Sequence, residues 1–461
     1  MADVIEVSTG GAVVVTEELS TAAAVLHAIA SEAAGIRADL IYADQLVSTS
    51  VGGAPIEARS AESEIDRAAT ALLLVEAEAR FVALSLDAAA GGYVLAEEAA
   101  RRLLGTVVDQ GAGVLGMVAP LLVVPLLWGG VGLALAGPEG RNAFFSSPLV
   151  VKAIRALASG ADDAMLSRLG IPPQITALIG DHGLDVAGIS LVATTIAGLG
   201  RSVGLLKEGQ VRVTSEDAVK GGPTQAPSGF QDRFDRIPIP AEDGGSQVLI
   251  ETYEMPDGST RYEVYVAATV DFDPAAVGQP WDMASNVSNA IGPGSGSYHS
   301  VVAAMERAGI GPNDPVQFTG YSQGAGTAAQ LAASGEFSTQ GLVTFGGNTG
   351  QVPLPPTVPT VIVEHTDDLV AALGGTQDNT HAVIVERWAS QDTDFATAPI
   401  LPGHQRPGYI ETAGLMDASD ESRLLSTAAT LNQFGGDGQL VSSVAYTCER
   451  VYPDSQAAGR P

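Results

Sequence analysis

The sequence predicts an α/β fold whose mainly parallel sheet lies in the C-terminal half, preceded by an all-α domain. Three observations predict it: residues 1–220 are dominated by helical stretches, residues 221–240 are rich in Gly and Pro, and residues 241–461 alternate short strand-like runs with helical stretches. The 461 residues, 46% of them hydrophobic, suffice for more than one domain. A helical domain, a linker and an α/β domain with those three boundaries are therefore expected.

The charge balance and the cysteine content exclude several classes of function. With 23 basic and 53 acidic side chains the formal net charge is −30, which opposes a polyphosphate surface, so nucleic-acid binding is not expected. The lone Cys448 cannot close an intramolecular disulfide and lacks the neighbouring ligands of a zinc site. No metal and no cofactor are predicted.

The first two helical stretches form a predicted hairpin. Apolar residues recur at helical spacing over 16–47, and a second helical stretch covers about 60–90, with a glycine-rich turn between them. Together with the Tyr-x-x-x-Glu pattern of Tyr93-Val-Leu-Ala-Glu97, the hairpin resembles actinobacterial type VII secretion substrates, although Val51-Gly52-Gly53 replaces the Trp-x-Gly of that family. The resemblance implies export, and a helical bundle with an ordinary surface tyrosine also fits the pattern.

An apolar segment lies within the predicted helical domain. Residues 111–137 carry no charge and are rich in Leu and Val, which satisfies the length of about 20 apolar residues for a membrane span. Pro120 and Pro125 would kink such a helix, and a large domain can bury such a segment as a core hairpin. A membrane-inserting segment and a core hairpin both remain open. The protein is expected to be membrane-associated or secreted, and otherwise cytoplasmic.

The C-terminal half contains a series of strand-like runs. They are Gln247–Tyr253, Tyr262–Ala268, Pro315–Thr319, Gly341–Phe345, Thr360–Glu364, Ala382–Trp388 and Val441–Val451. Helical stretches near Tyr298–Ala308 and Gly324–Ser334 separate consecutive runs. Strands that alternate with helices predict a mainly parallel sheet covered on both faces.

The sequence Gly320-Tyr321-Ser322-Gln323-Gly324 connects a predicted strand to a predicted helix. This is the arrangement of a nucleophile elbow, in which a strained turn lifts the serine hydroxyl off the sheet and the flanking glycines let strand and helix approach closely. A second match to the letters, Gly200-Arg-Ser202-Val-Gly204, ends an apolar helix rather than a strand. We therefore predict Ser322 as the nucleophile and treat Ser202 as a chance match.

An acidic residue follows Ser322 at the end of a later strand, as the order Ser, acid, His of such enzymes requires. Asp367 and Asp368 both come just after the strand-like run 360–364. A carboxylate at this position can accept a hydrogen bond from the imidazole of a catalytic histidine. Asp368 is the preferred acid, with Asp367 as the alternative, and the adjacent His365 is expected to hydrogen-bond locally.

Two histidines could serve as the general base. His404 lies in a loop after the run 382–388, whereas His381 lies before that run. Because a parallel strand would carry its start to the far edge of the sheet, His404 is preferred and His381 is the alternative.

Residues 245–452 resemble an α/β-hydrolase of the lipase, esterase and cutinase group. Gly320–Ala325 is similar to the cutinase elbow, while Asp368-Leu-Val and His404 with Tyr409 are similar to the acid and base segments of fungal-type triacylglycerol lipases. In cutinases the histidine follows the Asp-Leu-Val run closely, a spacing that His381 has here, but the bracing cysteines of cutinases are absent. The resemblance implies a serine hydrolase of carboxylic esters, lipase-like or esterase-like, whose substrate is an acyl ester or lipid.

Such an enzyme needs an oxyanion hole with two donors. The backbone N–H of Gln323, the residue after the nucleophile, is the expected first donor. The second is expected from the loop after the run 262–268, where Thr269 is preferred, although Ala268-Thr269 departs from the Gly-Thr pair of related hydrolases. Asp282, further along this loop, either shapes the substrate mouth or caps a helix.

A second class of function is also consistent with the sequence. The long helical N-terminal half, the apolar segment 111–137 and the departure at Ala268-Thr269 suggest a non-enzymatic membrane or secretion-linked interaction protein with a degenerate hydrolase fold. A functional elbow reacts with a fluorophosphonate and a decayed one does not, so labelling separates the two hypotheses.

Overall fold

The protein is described by a computed structural model. It describes residues 5–9, 16–49, 204–240 and 245–452, together with most positions of 58–83 and scattered positions between 139 and 201. The chain divides into two compact units. The larger comprises residues 1–12, 182–389 and 403–461, and the smaller comprises residues 13–181 and 390–402.

The larger unit is built on a nine-stranded sheet. Its strands are β1 (Glu6–Thr9), β2 (Gln210–Ala218), β3 (Val248–Glu254), β4 (Thr260–Val266), β5 (Pro315–Tyr321), β6 (Ser338–Phe345), β7 (Thr360–His365), β8 (Val383–Arg387) and β9 (Gln439–Val451). Their order across the sheet is β1-β8-β7-β6-β5-β4-β3-β9-β2. Strands β4 to β8 are parallel to one another, and every other neighbouring pair is antiparallel. The α/β class with a parallel sheet centre is thus confirmed.

The helices, in chain order, begin with α1 (Thr16–Thr49) and α2, the helical positions within 58–83. They continue with α3 (Phe230–Asp235), α4 (Met283–Ile291), α5 (Gly296–Arg307), α6 (Gln323–Ser334), α7 (Leu369–Ala372), α8 (Arg406–Asp417) and α9 (Ser422–Gly435). Helices α5 and α6 each connect two strands of the sheet, as the alternation of strand-like and helical stretches predicted. A 3-10 turn, Pro402–His404, precedes α8.

Two hydrophobic cores lie on the two faces of the sheet, because successive strand residues point to opposite faces. One core joins strand residues to α5 and α6, and includes Val264, Val266, Phe318, Met305 and Leu331. The other joins strand residues to α3, α8 and α9, and includes Tyr265, Val343, Phe345, Phe234, Tyr409 and Leu431. The parallel strands are therefore covered on both faces, and their carboxyl ends form one edge of the sheet.

The boundaries of the sheet unit differ from the predicted domain boundaries. Residues 210–218, predicted within the helical domain 1–220, form the edge strand β2, which pairs with β9. Within the predicted linker 221–240, Phe230 and Phe234 of α3 are buried in the second core. The edge strand β2 is mostly polar over its nine residues, and a six-residue helix is too brief to show a helical period, so composition could not find either element.

The described residues of the smaller unit include two helices, α1 and α2, at the two predicted stretches. Their side chains meet where Arg37 Nη2 lies 2.9 Å from Glu76 Oε2, and Arg80 lies 2.8 Å from the same carboxylate. The predicted turn at 51–53, the motif Tyr93–Glu97 and the apolar segment 111–137 lie outside the described residues. Among the helices that are described, none has the length and the apolar character needed to cross a membrane.

Candidate active site

Ser322 stands in the sharp turn between β5 and α6. Its backbone has φ 56° and ψ −122°, a conformation that costs a residue with a side chain on the order of 1–3 kcal/mol, and its N–H donates to Phe345 O at 2.9 Å. A Cβ on Gly320 would lie 2.2 Å from Gly324 O, and a Cβ on Gly324 would lie 2.2 Å from Val266 O. Both glycines are therefore required by the close approach of strand and helix that the motif predicted.

Asp368 lies three residues beyond the end of β7 and is fully buried. Its Oδ1 accepts a hydrogen bond from the Val370 N–H at 2.8 Å, which caps α7. Its Oδ2 accepts from His404 Nδ1 at 2.7 Å and from the Tyr409 hydroxyl at 2.6 Å. Burial acts to raise the pKa of Asp368, but the charge of His404 and the hydrogen bonds from His404 and Tyr409 outweigh it, so the pKa lies below its ordinary value. The group is therefore an ionised acceptor.

His404 bridges the carboxylate and the serine. With Nδ1 protonated and bound to Asp368, its Nε2 is left as an acceptor 2.8 Å from Ser322 Oγ. The side chain of His404 is 15% exposed and that of Asp368 is 0% exposed, so the network runs from a buried carboxylate towards solvent. This is the geometry in which an imidazole can take the serine proton as the hydroxyl attacks a substrate.

The two alternative residues lie elsewhere. Asp367 Oδ1 accepts a hydrogen bond from the Ala389 N–H at 3.0 Å, so Asp368, and not its neighbour, contacts His404. His381 precedes β8, which is parallel to β7, and therefore lies at the amino edge of the sheet, whereas Ser322 lies at the carboxyl edge. The structure brings Ser322, Asp368 and His404 together.

The turn that carries His404 is held by two side chains that sequence reasoning did not place there. The Tyr321 hydroxyl donates to the His404 backbone oxygen, and the Tyr321 and His404 rings stack with centroids 5.5 Å apart. His365 Nδ1 lies 2.7 Å from Gly403 O, and its Nε2 lies 2.8 Å from Thr412 Oγ1. The expectation that His365 bonds locally was wrong, since both partners are distant in sequence. The only feature of the sequence that could have pointed to this role of His365 is its position three residues before Asp368.

Gln323 and Thr269, the predicted oxyanion donors, lie at the carboxyl edge of the sheet. Gln323 is the first residue of α6, and its buried side chain donates from Nε2 to Asp282 O at 3.4 Å. Thr269 lies three residues beyond Val266, the carbonyl oxygen of which abuts Gly324, and its Oγ1 accepts from Asn286 Nδ2 at 3.0 Å. Gln323 is thus part of the elbow, and Thr269 is held by α4 in the loop that follows β4.

Asp282 has a structural role. Its Oδ1 accepts from the Ser285 N–H at 2.9 Å and caps α4, and its Oδ2 lies 2.5 Å from Nη1 of the fully buried Arg450. The helix-cap interpretation therefore holds.

Comparison of the chain with models of protein families, with curated proteins and with solved structures found no match. The chemistry of the site is therefore argued from its geometry alone. A serine hydroxyl, an imidazole and a buried carboxylate in one hydrogen-bonded row can activate an oxygen nucleophile.

Proposed function

We propose that the chain is a serine hydrolase of carboxylic esters, with an α/β-hydrolase-like fold in its larger unit. The observation that carries the proposal is the hydrogen-bonded row in which Ser322 Oγ lies 2.8 Å from His404 Nε2, and His404 Nδ1 lies 2.7 Å from Asp368 Oδ2. The row stands at the carboxyl edge of a parallel sheet, where open α/β sheets bind their ligands. The positive φ of Ser322 at a strand-to-helix turn supports the same proposal.

The proposed reaction has two halves. Ser322 Oγ attacks the ester carbonyl carbon while its proton passes to His404 Nε2, and the tetrahedral intermediate then expels the alcohol, which takes that proton. Water next attacks the acyl-enzyme in the same way, and the carboxylic acid leaves. Asp368 stays ionised throughout, fixing the tautomer of His404 and stabilising the imidazolium that forms.

The oxyanion of each intermediate needs donors at the same edge of the sheet. We assign the first donor to the backbone N–H of Gln323, which begins α6 beside the nucleophile. Thr269 is the proposed second donor. The bond from Asn286 occupies Thr269 Oγ1 as an acceptor, which leaves the hydroxyl proton available for donation.

An acyl ester or lipid is the proposed substrate class. Three large apolar side chains stand exposed on loops that leave the carboxyl ends of β4 and β8: Phe272 at 71%, Val277 at 70% and Trp388 at 44%. We propose that these loops border the substrate site, where apolar side chains favour an apolar substrate. Association with a membrane through the segment 111–137, or export, remains part of the proposal.

The test is labelling of the full-length protein with a fluorophosphonate, which phosphonylates an activated serine. We expect labelling of the parent, none of Ser322→Ala, and labelling of His404→Ala slowed at least about 1,000-fold. The full chain is required because β1 and β2 lie outside the 241–461 segment and belong to the sheet. Absence of labelling in folded parent protein would reject the hydrolase and favour the non-enzymatic binding module.

The substrate class is tested by turnover of p-nitrophenyl esters from acetate to palmitate. We expect kcat/KM to rise with the length of the acyl chain, because each buried methylene contributes about 0.8 kcal/mol. Turnover of p-nitrophenyl acetate alone would contradict a lipid substrate and would still be consistent with an esterase.

A further inference from the structure

Tyr409 of α8 lies against the candidate acid. It is fully buried, and its hydroxyl donates to Asp368 Oδ2 at 2.6 Å. The same hydroxyl accepts a hydrogen bond from the His365 backbone N–H at 3.2 Å. One oxygen of Asp368 therefore receives two donors, the hydroxyl of Tyr409 and Nδ1 of His404.

The ring of Tyr409 is held on both sides. The His365 ring stacks on it with centroids 3.8 Å apart and planes 12° apart. On another side, a Cβ added to Gly346, which has φ 58°, would lie 2.8 Å from the Tyr409 ring. The ring therefore has little freedom to turn, and its hydroxyl is directed at the carboxylate before any substrate arrives.

We propose that Tyr409 is a positioning residue of the hydrolase, which fixes the Asp368 carboxylate and withdraws part of the Oδ2 charge from His404. This inference rests on the proposed function. It follows from geometry, because two donors that share one carboxylate oxygen divide its negative charge, and because the Oδ1 of the same group is taken by Val370 N–H. Tyr409 would thus set how strongly the site holds the imidazolium.

The ionisable groups around the carboxylate are consistent with this division. Those facing Asp368 are His404, Tyr409, His365 and Tyr321, whose hydroxyl is directed at the His404 backbone oxygen. Burial and the negative charge of Asp368 raise the pKa of Tyr409 well above its ordinary value, so the hydroxyl keeps its proton and stays a donor.

The His365 ring gives no hydrogen bond to Asp368, because its two nitrogens face Gly403 O and Thr412 Oγ1. Burial lowers its pKa, against the opposing effects of the Gly403 carbonyl and of Asp367 and Asp368, while Arg387 adds to the lowering. The neutral Tyr409 hydroxyl is therefore the principal partner that shares Oδ2 with His404.

The experiment is Tyr409→Phe, which removes the hydroxyl and keeps the ring. With the full Oδ2 charge returned to His404, the imidazolium is held more strongly, so more alkaline conditions are needed to free the base. We expect the acid limb of the kcat/KM profile for a p-nitrophenyl ester to move to higher pH by about 0.5–1 unit. The plateau should fall about 3-fold to 30-fold, because the carboxylate is less firmly oriented.

The matched control is Tyr298→Phe, which alters a buried tyrosine in the core on the other face of the sheet. We expect it to leave both the acid limb and the plateau within about 2-fold of the parent. An acid limb that stays in place in Tyr409→Phe, or that moves equally in both variants, would overturn the proposal.

A second measurement does not depend on turnover. The Nδ1 proton of an imidazole bound to a carboxylate gives a far-downfield proton NMR signal, which His404→Ala would assign by its loss. We expect this signal to shift in Tyr409→Phe and not in Tyr298→Phe. If the parent neither labels nor turns over ester, but the signal still shifts in Tyr409→Phe, the hydrolase is refuted and the division of charge is retained. If the parent is active and the signal does not shift in Tyr409→Phe, only the role of Tyr409 is refuted.

Discussion

Two buried polar networks of the larger unit differ in how they end. The first, here the triad network, consists of Ser322, His404, Asp368 and Tyr409, and it runs from a carboxylate that is 0% exposed to an imidazole that is 15% exposed. The second, here the arginine cluster, consists of Arg233, Arg236, Glu251, Tyr253 and Glu263. Its ion pairs, 2.9 Å between Arg233 and Glu263 and 2.7 Å between Arg236 and Glu251, join side chains at most 5% exposed.

The difference teaches that buried polarity alone does not mark a site. In the arginine cluster each guanidinium is matched by a buried carboxylate, and the whole set joins α3 to β3 and β4. Burial raises the pKa of Glu263 and the charge of Arg233 opposes that rise, which is the balance of a structural pair. In the triad network the last acceptor, His404 Nε2, faces the hydroxyl of Ser322, the candidate nucleophile, at the carboxyl edge of the sheet.

The largest effect that would sharpen this contrast comes from Asp368→Asn. The amide cannot hold His404 in the tautomer that leaves Nε2 free, so we expect kcat/KM for a p-nitrophenyl ester to fall about 1,000-fold to 10,000-fold. Steady-state kinetics at the pH optimum of the parent provides the measurement.

The neighbouring acid supplies the control for that variant. Because the Asp367 carboxylate binds the Ala389 N–H and not His404, Asp367→Asn should keep kcat/KM within about 10-fold of the parent. Equal losses in the two variants would contradict the assignment of Asp368 as the acid.

The arginine cluster should respond in stability and not in activity. Arg233→Met leaves Glu263 buried without its partner, so we expect the free energy of unfolding to fall by about 3–5 kcal/mol. Activity per folded molecule should stay within about 2-fold. Urea denaturation, followed by circular dichroism and by residual esterase activity, measures both quantities.

An exposed ion pair gives the comparison for that loss. Arg212 and Glu449 are 61% and 53% exposed and lie 3.4 Å apart, so Arg212→Met should cost no more than about 1 kcal/mol. Adding Glu263→Leu to Arg233→Met should restore most of the lost stability. If the buried and exposed variants were equally stable, the arginine cluster would not hold α3.

The elements that the sequence predicted well are those with a strong local pattern. The seven strand-like runs of the C-terminal half correspond to β3 through β9, since each combines β-branched or aromatic residues with flanking turn residues. The elbow was found because glycine is required at Gly320 and Gly324, where a Cβ would meet backbone atoms. The order of acid and histidine along the chain then located Asp368 and His404, which the structure places in contact.

The elements that the sequence did not predict depend on distant partners. β1 is a four-residue strand whose existence depends on pairing with β8, and β2 depends likewise on β9. Arg233 stands in a stretch whose composition favoured a linker, and only the partner Glu263 on β4 shows that it is buried. The contact between Tyr409 and Asp368 could not be foreseen either, because no local pattern fixes where α8 packs.

A smaller effect concerns the second nucleophilic side chain of the unit, Cys448. Burial in β9 raises the pKa of its thiol to about 11, against a weak opposing hydrogen bond to Ser300. At pH 8 we expect its reaction with a disulfide reagent such as DTNB to be at least about 100-fold slower than in urea-unfolded protein, because the thiolate is the reactive form. Equal rates in folded and unfolded protein would show that burial does not lower the reactivity of this thiol. The expected contrast between an unreactive Cys448 and a reactive Ser322 would then be wrong.

The smallest expected effect is that of His381→Ala, and it tests the direction of β8. His381 precedes β8, and the register of Val383 against Val361 makes β8 parallel to β7, so the residue lies a strand length away from the edge that carries Ser322. Burial lowers the pKa of His381, which suits a neutral structural side chain. We therefore expect kcat/KM within about 2-fold of the parent and a loss of stability below about 1 kcal/mol. A loss of 100-fold or more would mean that the base follows the acid closely, as in cutinases, and that the row through His404 is not the working one. Because His404→Ala alters the same kinetic constant, the two histidine variants measured side by side decide between the two edges of the sheet.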